Sequence, residues 1–383
     1  MADEAAKDGP SAPRRARRLF AWRNRLAASR RFQSASSGFL LTRGRARREG
    51  QALFDIVAGF AQSQVLMALV ELRVLHRLLE RQATPEDIAG EVAVPVERLR
   101  VLLQAGAALK LLEVRHGAYR TALRGAALLG VPGLEAMIRH HDVLYRDLAD
   151  PVAFFRGETE TELAGFWPYV FGAAAAEDPE LAARYSGLMT ESQALVAEET
   201  LRHVPLRDVD HLLDIGGGTG AFLRHAGRLY PGLEMTLFDL PAVVPVAEAA
   251  FDAAGMAERV RVVGGSFRDD PLPAGADAVS LVRVLYDHSD ATVEALLAAV
   301  FAALPPGGRL IVSEPMSGGA APDRVGDVYF ALYCLAMRTG RVRSADEICD
   351  MVEAAGFESI ESPSTDRAFV TSVVLARKPG RKD

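Results

Sequence analysis

The chain has 383 residues, 49% hydrophobic and 25% charged, with a formal net charge of −6. That length holds about two domains with ample core, and the acidic balance argues against general nucleic-acid binding. Cys334 and Cys349 are the only cysteines; they exclude a disulfide framework, lack metal-ligand spacing, and read as small buried hydrophobes of a reducing cytoplasm, with no metal expected.

Residues 1–48 read as a basic arm. Arg14, Arg15, Arg17, Arg18, Arg30, Arg31, Arg43, Arg45, Arg47 and Arg48 are interleaved with Phe20, Trp22, Phe32 and Phe39. Arg17-Arg18-Leu19-Phe20 has the look of a twin-arginine export signal, but Arg23, Arg25, Arg30 and Arg31 interrupt the apolar region that must follow, so export is rejected. The arm is expected to be solvated and partly disordered, wrapping a partner subunit or attracted to anionic lipid with its aromatics at the interface. No run of about 18 consecutive apolar residues exists, so no membrane-spanning segment is expected; the expected location is cytoplasmic, with the arm in peripheral contact with a membrane.

Residues 49–130 read as helices closed by a small hairpin. Ala52 to Leu69 has apolar residues at helical spacing, Leu72 to Leu79 continues as a second helix, and Thr84-Pro85-Glu86-Asp87 is a capped helix start. A further helix follows Val94-Pro95, and Leu112–Val114 with Tyr119–Thr121 flank His116-Gly117. Helices followed by a two-strand wing describe a winged helix. The would-be recognition helix is mostly apolar, which favours dimerisation over DNA contact, so a homodimer and no nucleic acid are expected. Residues 131–205 form a helical linker with His140, His141, Tyr145 and Trp167. A long helix from Pro179 to about His203 carries Met189 and Ser192, where an interdomain substrate pocket would form.

Residues 206–383 alternate strands and helices. The strands are Leu212–Asp214, Met235–Phe238, Val260–Val263, Ala278–Val282 and Arg309–Ser313, with Glu358–Glu361 and Phe369–Ala376 as an antiparallel tail. The fold class is therefore α/β, a Rossmann-like seven-stranded sheet behind a mostly helical domain. The first strand ends in Asp214 and runs into Gly216-Gly217-Gly218-Thr219-Gly220, and the second ends in Asp239. A glycine turn followed about 20 residues later by an acid is a nucleotide-ribose arrangement. A pyrophosphate wants bare amides and no nearby anion, whereas Asp214 suits a ligand with a cationic amino-acid end. S-adenosyl-L-methionine has an ammonium, a sulfonium and a ribose but no phosphate, and is preferred to a dinucleotide. S-adenosyl-L-homocysteine would be its product form.

Leu213 to Gly220, Phe238-Asp239-Leu240-Pro241, Leu304-Pro305-Pro306-Gly307-Gly308 and Glu314-Pro315 together resemble the small-molecule O-methyltransferases with an N-terminal winged-helix dimerisation domain. Leu53 to Phe60, Leu144 to Pro151 and Arg283-Val284-Leu285-Tyr286-Asp287-His288 are similar to its carotenoid-methylating branch. That resemblance implies methylation of the tertiary C1 hydroxyl of an acyclic carotenoid. It also implies cofactor contacts from Asp214, Gly216, Gly218, Gly220, Asp239, Leu240, Ser266, Phe267, Arg283, Met189 and Ser192.

The broader family carries His-Asp-Trp where this chain has Tyr286-Asp287-His288, and the second acid that braces the family histidine maps near Val342 and is lost; Glu314 matches the first acid. A phenol, with a pKa near 10, can be ionised by a histidine before attack. A tertiary alcohol cannot, so its proton must leave late. The expected catalytic residues are His288, Tyr286, Asp287 and Glu314, with His140, His141, Tyr145 and Trp167 toward substrate. Rival readings are a methyltransferase of an aromatic polyketide or a bacteriochlorophyll intermediate, a non-catalytic regulator, and a nicotinamide oxidoreductase.

Overall fold

The computed structural model describes residues 14–166 and 193–380. Trp167, Met189 and Ser192 lie outside the described residues.

The basic arm, expected to be partly disordered, is helical from its first described residue: α1 (Arg14–Ala27), α2 (Arg30–Gly38) and α3 (Arg43–Glu71). Arginine and alanine are strong helix formers, and Ser29 caps α2 by accepting from Phe32 N at 3.4 Å. α3 runs without a break through residue 48. Its most apolar 18-residue window averages a hydropathy of 1.6, long and apolar enough to cross a membrane by length and composition alone. Asp55 and the glutamines interrupt the run of consecutive apolar residues but not its average. At its C-terminal end Leu69 and Val70 are built into the first domain's core.

The second helix expected at Leu72–Leu79 is a single turn, α4 (Val74–Arg77), entered through Arg73 at a left-handed φ of 54°. α5 (Pro85–Val92) starts on the expected capping box between Thr84 and Asp87. α6 (Val96–Ala108), the hairpin β1 (Leu112–Arg115) with β2 (Ala118–Thr121), and α7 (Leu123–Leu129) complete the domain. Its core is Leu69, Leu75, Leu78, Ile88, Leu99, Leu103 and Leu112.

α8 (Leu134–Asp147), α9 (Pro151–Phe155), α10 (Glu162–Phe166) and α11 (residues 193–203) lead to the sheet. The sheet strands are β3 (His211–Ile215), β4 (Glu234–Asp239), β5 (Val260–Gly264), β6 (Ala278–Val282), β7 (Arg309–Glu314), β8 (Glu358–Glu361) and β9 (Ser372–Arg377). The helices between them are α12 (Ala221–Leu229), α13 (Val244–Ala253), α14 (Asp290–Ala303), α15 (Ala331–Met337) and α16 (Ala345–Ala354). The strand order is β5-β4-β3-β6-β7-β9-β8, with β9 antiparallel to both of its neighbours. β9 begins at Ser372, later than the expected Phe369, which sits exposed in a turn. The order reverses between β3 and β6, and ligands of open α/β sheets bind outside the carboxyl ends of the strands at such a point.

The linker is held to the sheet domain by an apolar cluster of Leu144, Phe154 and Leu163 with Tyr333, Ala336 and Met337 of α15. Buried Asp147 joins α8 to α10 by accepting from Glu162 N at 2.7 Å and Leu163 N at 3.1 Å. Replacing a capping acid of this kind with alanine costs roughly 1–2 kcal/mol. The expected result for Asp147→Ala is a lower urea midpoint with an unchanged m-value.

Candidate active site

β3 delivers its last residues to the reversal point, where Asp214 lies beside Ser280 of β6 in register. Ser280 Oγ donates to Asp214 Oδ1 at 2.6 Å, while Oδ2 is buried with no hydrogen-bond partner. Burial pushes the carboxyl up to about 7, with the Ser280 bond opposing and the nearby charge of Asp239 adding to the rise. An orphaned acceptor this deep is costly unless a ligand supplies a donor. The turn beyond it needs glycine: at Gly220, φ is 73° and a Cβ would strike the Phe251 ring. Gly218 (φ 56°) has open space where its Cβ would be, so a ligand can approach the backbone there.

Asp239, at the end of β4, accepts from Gly218 N and Leu240 N, both at 2.7 Å. Burial raises its pKa and the two amides pull it back. Each carboxylate oxygen keeps a second lone pair, so Asp239 retains capacity for two hydroxyls. The Leu240 amide is already spent on Asp239. Ser266 is engaged in its own turn, where Oγ donates to Asp269 at 3.0 Å and N donates to Asp270 at 2.8 Å.

The segment after β6 carries the expected catalytic residues. Arg283 stands at a left-handed φ of 56°, turning the chain; a non-glycine residue held there costs energy and is characteristic of functional sites. Glu314 of β7 accepts from Val284 N at 3.0 Å, Leu285 N at 2.5 Å and Tyr286 N at 2.8 Å. Both oxygens of Glu314 are used by the backbone, so it holds the loop from Val284 to Tyr286 in place. Burial lifts it to about 7 against those three donors. Asp287 is pushed well up by burial and by Glu314, and its Oδ1 is buried with no partner. Tyr286 is buried, its pKa pushed up for the same reason, and its hydroxyl makes no hydrogen bond among the described residues.

His288 is also not free to act as a base. Arg268 Nη2 lies 3.0 Å from His288 Nδ1. Guanidinium can only donate, so Nδ1 is the acceptor and the neutral ring carries its proton on Nε2. Burial, then Arg268 and Arg343, lower His288 to about 4. Its ring meets Phe267 edge-on at 5.2 Å.

Above this segment the linker contributes two pairs. His140 Nε2 bonds Tyr333 Oη, and His141 Nε2 bonds Tyr329 Oη, each at 2.8 Å. Burial lowers both histidines, His140 to about 4 with help from His141, and raises Tyr329 to about 12. Both histidines and Tyr329 are therefore neutral at neutral pH. Tyr145 lies edge-on to His141 at 6.4 Å. Tyr329 sits in a π-helical turn, Val325–Phe330, a feature that recurs at functional sites.

Against this geometry, residues 145–358 match the model of the O-methyltransferase domain, and residues 54–130 match the O-methyltransferase dimerisation domain. The chain belongs to the O-methyltransferase family. This family member is 60% identical to the demethylspheroidene O-methyltransferase of Cereibacter sphaeroides, over 93% of this chain and 94% of that one. It is 56% identical to the enzyme of the same name from Rhodobacter capsulatus, over 92% and 88%. The crystal structure of human N-acetylserotonin methyltransferase in complex with SAM is similar at a TM-score of 0.71 and 26% identity, covering 86% of this chain and 98% of that one. The seven-stranded α/β fold and the helical domain before it are those of this O-methyltransferase's relatives, and the protein is an enzyme of that class.

Sequence reasoning missed four residues. Buried Arg343 donates to Leu285 O at 2.8 Å and His288 O at 2.9 Å, tying the catalytic segment to Asp290. Gly340 (φ 63°) packs directly against the backbone of Tyr286 to His288, leaving no room for a Cβ. Tyr329 and Tyr333 carry no motif; only their spacing of four on an apolar helix hinted at a shared face.

Among the described residues, Glu199, His203 and Asp366 could converge on a metal. Glu199 is instead held by Arg367 N and Nε, each at 2.8 Å.

Asp214 also makes stability depend on pH. Its raised pKa means that the folded chain holds the proton more tightly, so its contribution is full below about pH 4 and lost as pH rises to about 7. Asp214→Asn is expected to shrink the fall in Tm between pH 4 and pH 8 in the ligand-free protein. A variant whose Tm tracks the parent across that range contradicts the assignment.

Proposed function

We propose that the chain is an S-adenosylmethionine-dependent O-methyltransferase that methylates the tertiary C1 hydroxyl of an acyclic carotenoid, of the demethylspheroidene-to-spheroidene type. The observation that carries this reading is the near full-length similarity to two demethylspheroidene O-methyltransferases. The site is compatible with the cofactor. The orphaned Asp214 Oδ2 would take the ammonium, the turn from Gly216 to Gly220 admits close approach, and Asp239 would hold the ribose hydroxyls. Leu240, Ser266, Phe267 and Arg283 are assigned to the same cofactor, with Ser266 at the position beside the adenine. Bound there, S-adenosylmethionine supplies a methyl group on a positively charged sulfur.

The protein's own task is then to place the acceptor. Tyr286 has a neutral, unpartnered hydroxyl in the position where the broader family has a histidine, and it orients the acceptor oxygen by a hydrogen bond. Holding reactants collinear at about 3 Å can lower a barrier by several kcal/mol. No strong base is required, because the hydroxyl proton becomes strongly acidic only once the new O–C bond is forming, and a weak acceptor then suffices. The histidines fit that requirement: His288 is committed to Arg268, and His140 and His141 are tied to tyrosines. A phenolic acceptor would want one of them poised to ionise it. His140, His141 and Tyr145, on the linker helix, are assigned to the acceptor side.

We assign residues 49–130 to dimerisation, giving a homodimer, residues 131–205 to the acceptor pocket and residues 206–383 to the cofactor. A carotenoid dissolves in lipid, so peripheral contact with a membrane belongs to this reading.

Incubating the protein with deuterium-labelled methyl donor and a hydroxylated acyclic carotenoid is expected to give a product heavier by one labelled methyl in mass spectrometry. Transfer to phenolic acceptors alone would overturn the substrate. Tyr286→Phe should lower kcat roughly tenfold or more with saturating cofactor. His288→Gln should keep kcat within about threefold. The reverse ranking would restore His288 as the base.

A further inference from the structure

Twelve of the 44 basic residues and none of the 50 acidic ones lie in residues 9–48, so this segment carries +12 and the remainder of the chain −18. Every arginine from Arg18 to Arg48 is exposed, and among the described residues none of them forms an ion pair. The same stretch exposes large apolar side chains: Phe20, Trp22 and Phe39, with Leu40 at 72% and Leu41 at 86%. On α1, Leu19, Trp22 and Leu26 recur at helical spacing along one side, and Arg18 and Arg25 along the next. Phe39, Leu40 and Leu41 form the turn between α2 and α3, flanked by Arg30 and Arg31 before it and Arg43 and Arg45 after it.

We infer that residues 14–48 are a docking surface for a bilayer containing anionic phospholipid. The guanidinium groups lie at the headgroup phosphates, and Leu19, Trp22 and the Phe39–Leu41 turn enter the boundary with the acyl chains. The inference rests on the reading of the acceptor as a carotenoid for its purpose, which is to hold the pocket against the phase where such a molecule resides. Its physical basis is separate. A helix pair with a basic side and an apolar side carries the two signals that stable interfacial binding requires. Charge complementarity argues for the occupant: twelve arginines with no acid among residues 9–48 match a continuous layer of headgroup phosphates, and the exposed Phe39–Leu41 turn matches the acyl boundary beneath it. The segment also lies before the matched dimerisation region, which begins at residue 54. The −18 on the rest of the molecule is repelled by the same surface, so the arm faces the membrane and the sheet domain faces away.

The test is co-sedimentation of the full-length protein with vesicles of phosphatidylcholine, alone or with phosphatidylglycerol. Binding is expected to the anionic vesicles only, and to weaken as salt rises from about 0.1 M to about 1 M, where the Debye length falls from about 10 Å to about 3 Å. Replacing Arg23, Arg25, Arg30 and Arg31 together by Gln should lower partitioning at least about tenfold, and so should replacing Phe39, Leu40 and Leu41 by Ser. In a Trp167→Phe background Trp22 is the only tryptophan, and its emission should shift to the blue on anionic vesicles. Equal binding to neutral vesicles, or full binding by the Arg→Gln variant, overturns the inference. So does conversion of the Phe39/Leu40/Leu41 variant to a monomer in light scattering, which would place that turn against a second copy. Anionic binding without carotenoid methylation leaves the surface standing and removes the substrate; methylation without vesicle binding does the opposite.

Discussion

The three bonds from the amides of Val284, Leu285 and Tyr286 to the carboxylate of Glu314 hold the active segment together. They follow the end of β6 and a left-handed Arg283, and set a short helical turn, Leu285–Asp287, that leads into His288. Arg343 grips the carbonyls at either end of that turn, and Gly340 packs on its back. An acid from β7, a guanidinium and a glycine from the stretch before α16 thus fix one loop from three sides. A site that works by placement needs such rigidity, because the rate depends on holding oxygen and carbon within a fraction of an ångström.

The second organising feature is buried negative charge. Asp214, Glu314 and Asp287 are all pushed toward the neutral form, mainly by loss of water. Glu314 is compensated internally by amide donors. Asp214 and Asp287 each keep an oxygen without a donor, and stability is sacrificed at these points in the ligand-free chain. A donor reaching Asp214 Oδ2 would restore it. The histidines follow the opposite logic: His140, His141 and His288 are desolvated and held neutral, each given to a fixed partner.

Much of this was legible in the chain itself. The capping box at Thr84, the hairpin around His116-Gly117, the five parallel strands and the glycine turn after Asp214 are local patterns, dictated by side-chain period, caps and positive φ, and they stand where periodicity puts them. Expectations failed where the decision was tertiary or depended on averages. The arm is helical because arginine favours the helix when nothing else competes, although its composition suggested disorder.

Fold class, the order of elements and the strand-end acids Asp214 and Asp239 can be read from residues within a few positions of one another. What the polar side chains do was settled by folding. Glu314 became a clamp because the loop amides, some 30 positions earlier in the chain, meet it across the sheet. His288 lost its basicity because Arg268, from a different loop, occupies its only acceptor nitrogen. Tyr333 of α15 and Tyr329 of the π-helical turn before it became partners of the linker histidines because apolar packing at Leu144, Leu163 and Met337 brings these segments together. Hydrogen bonds between distant segments have no period and leave no spacing to read, and their partners are chosen when the core closes.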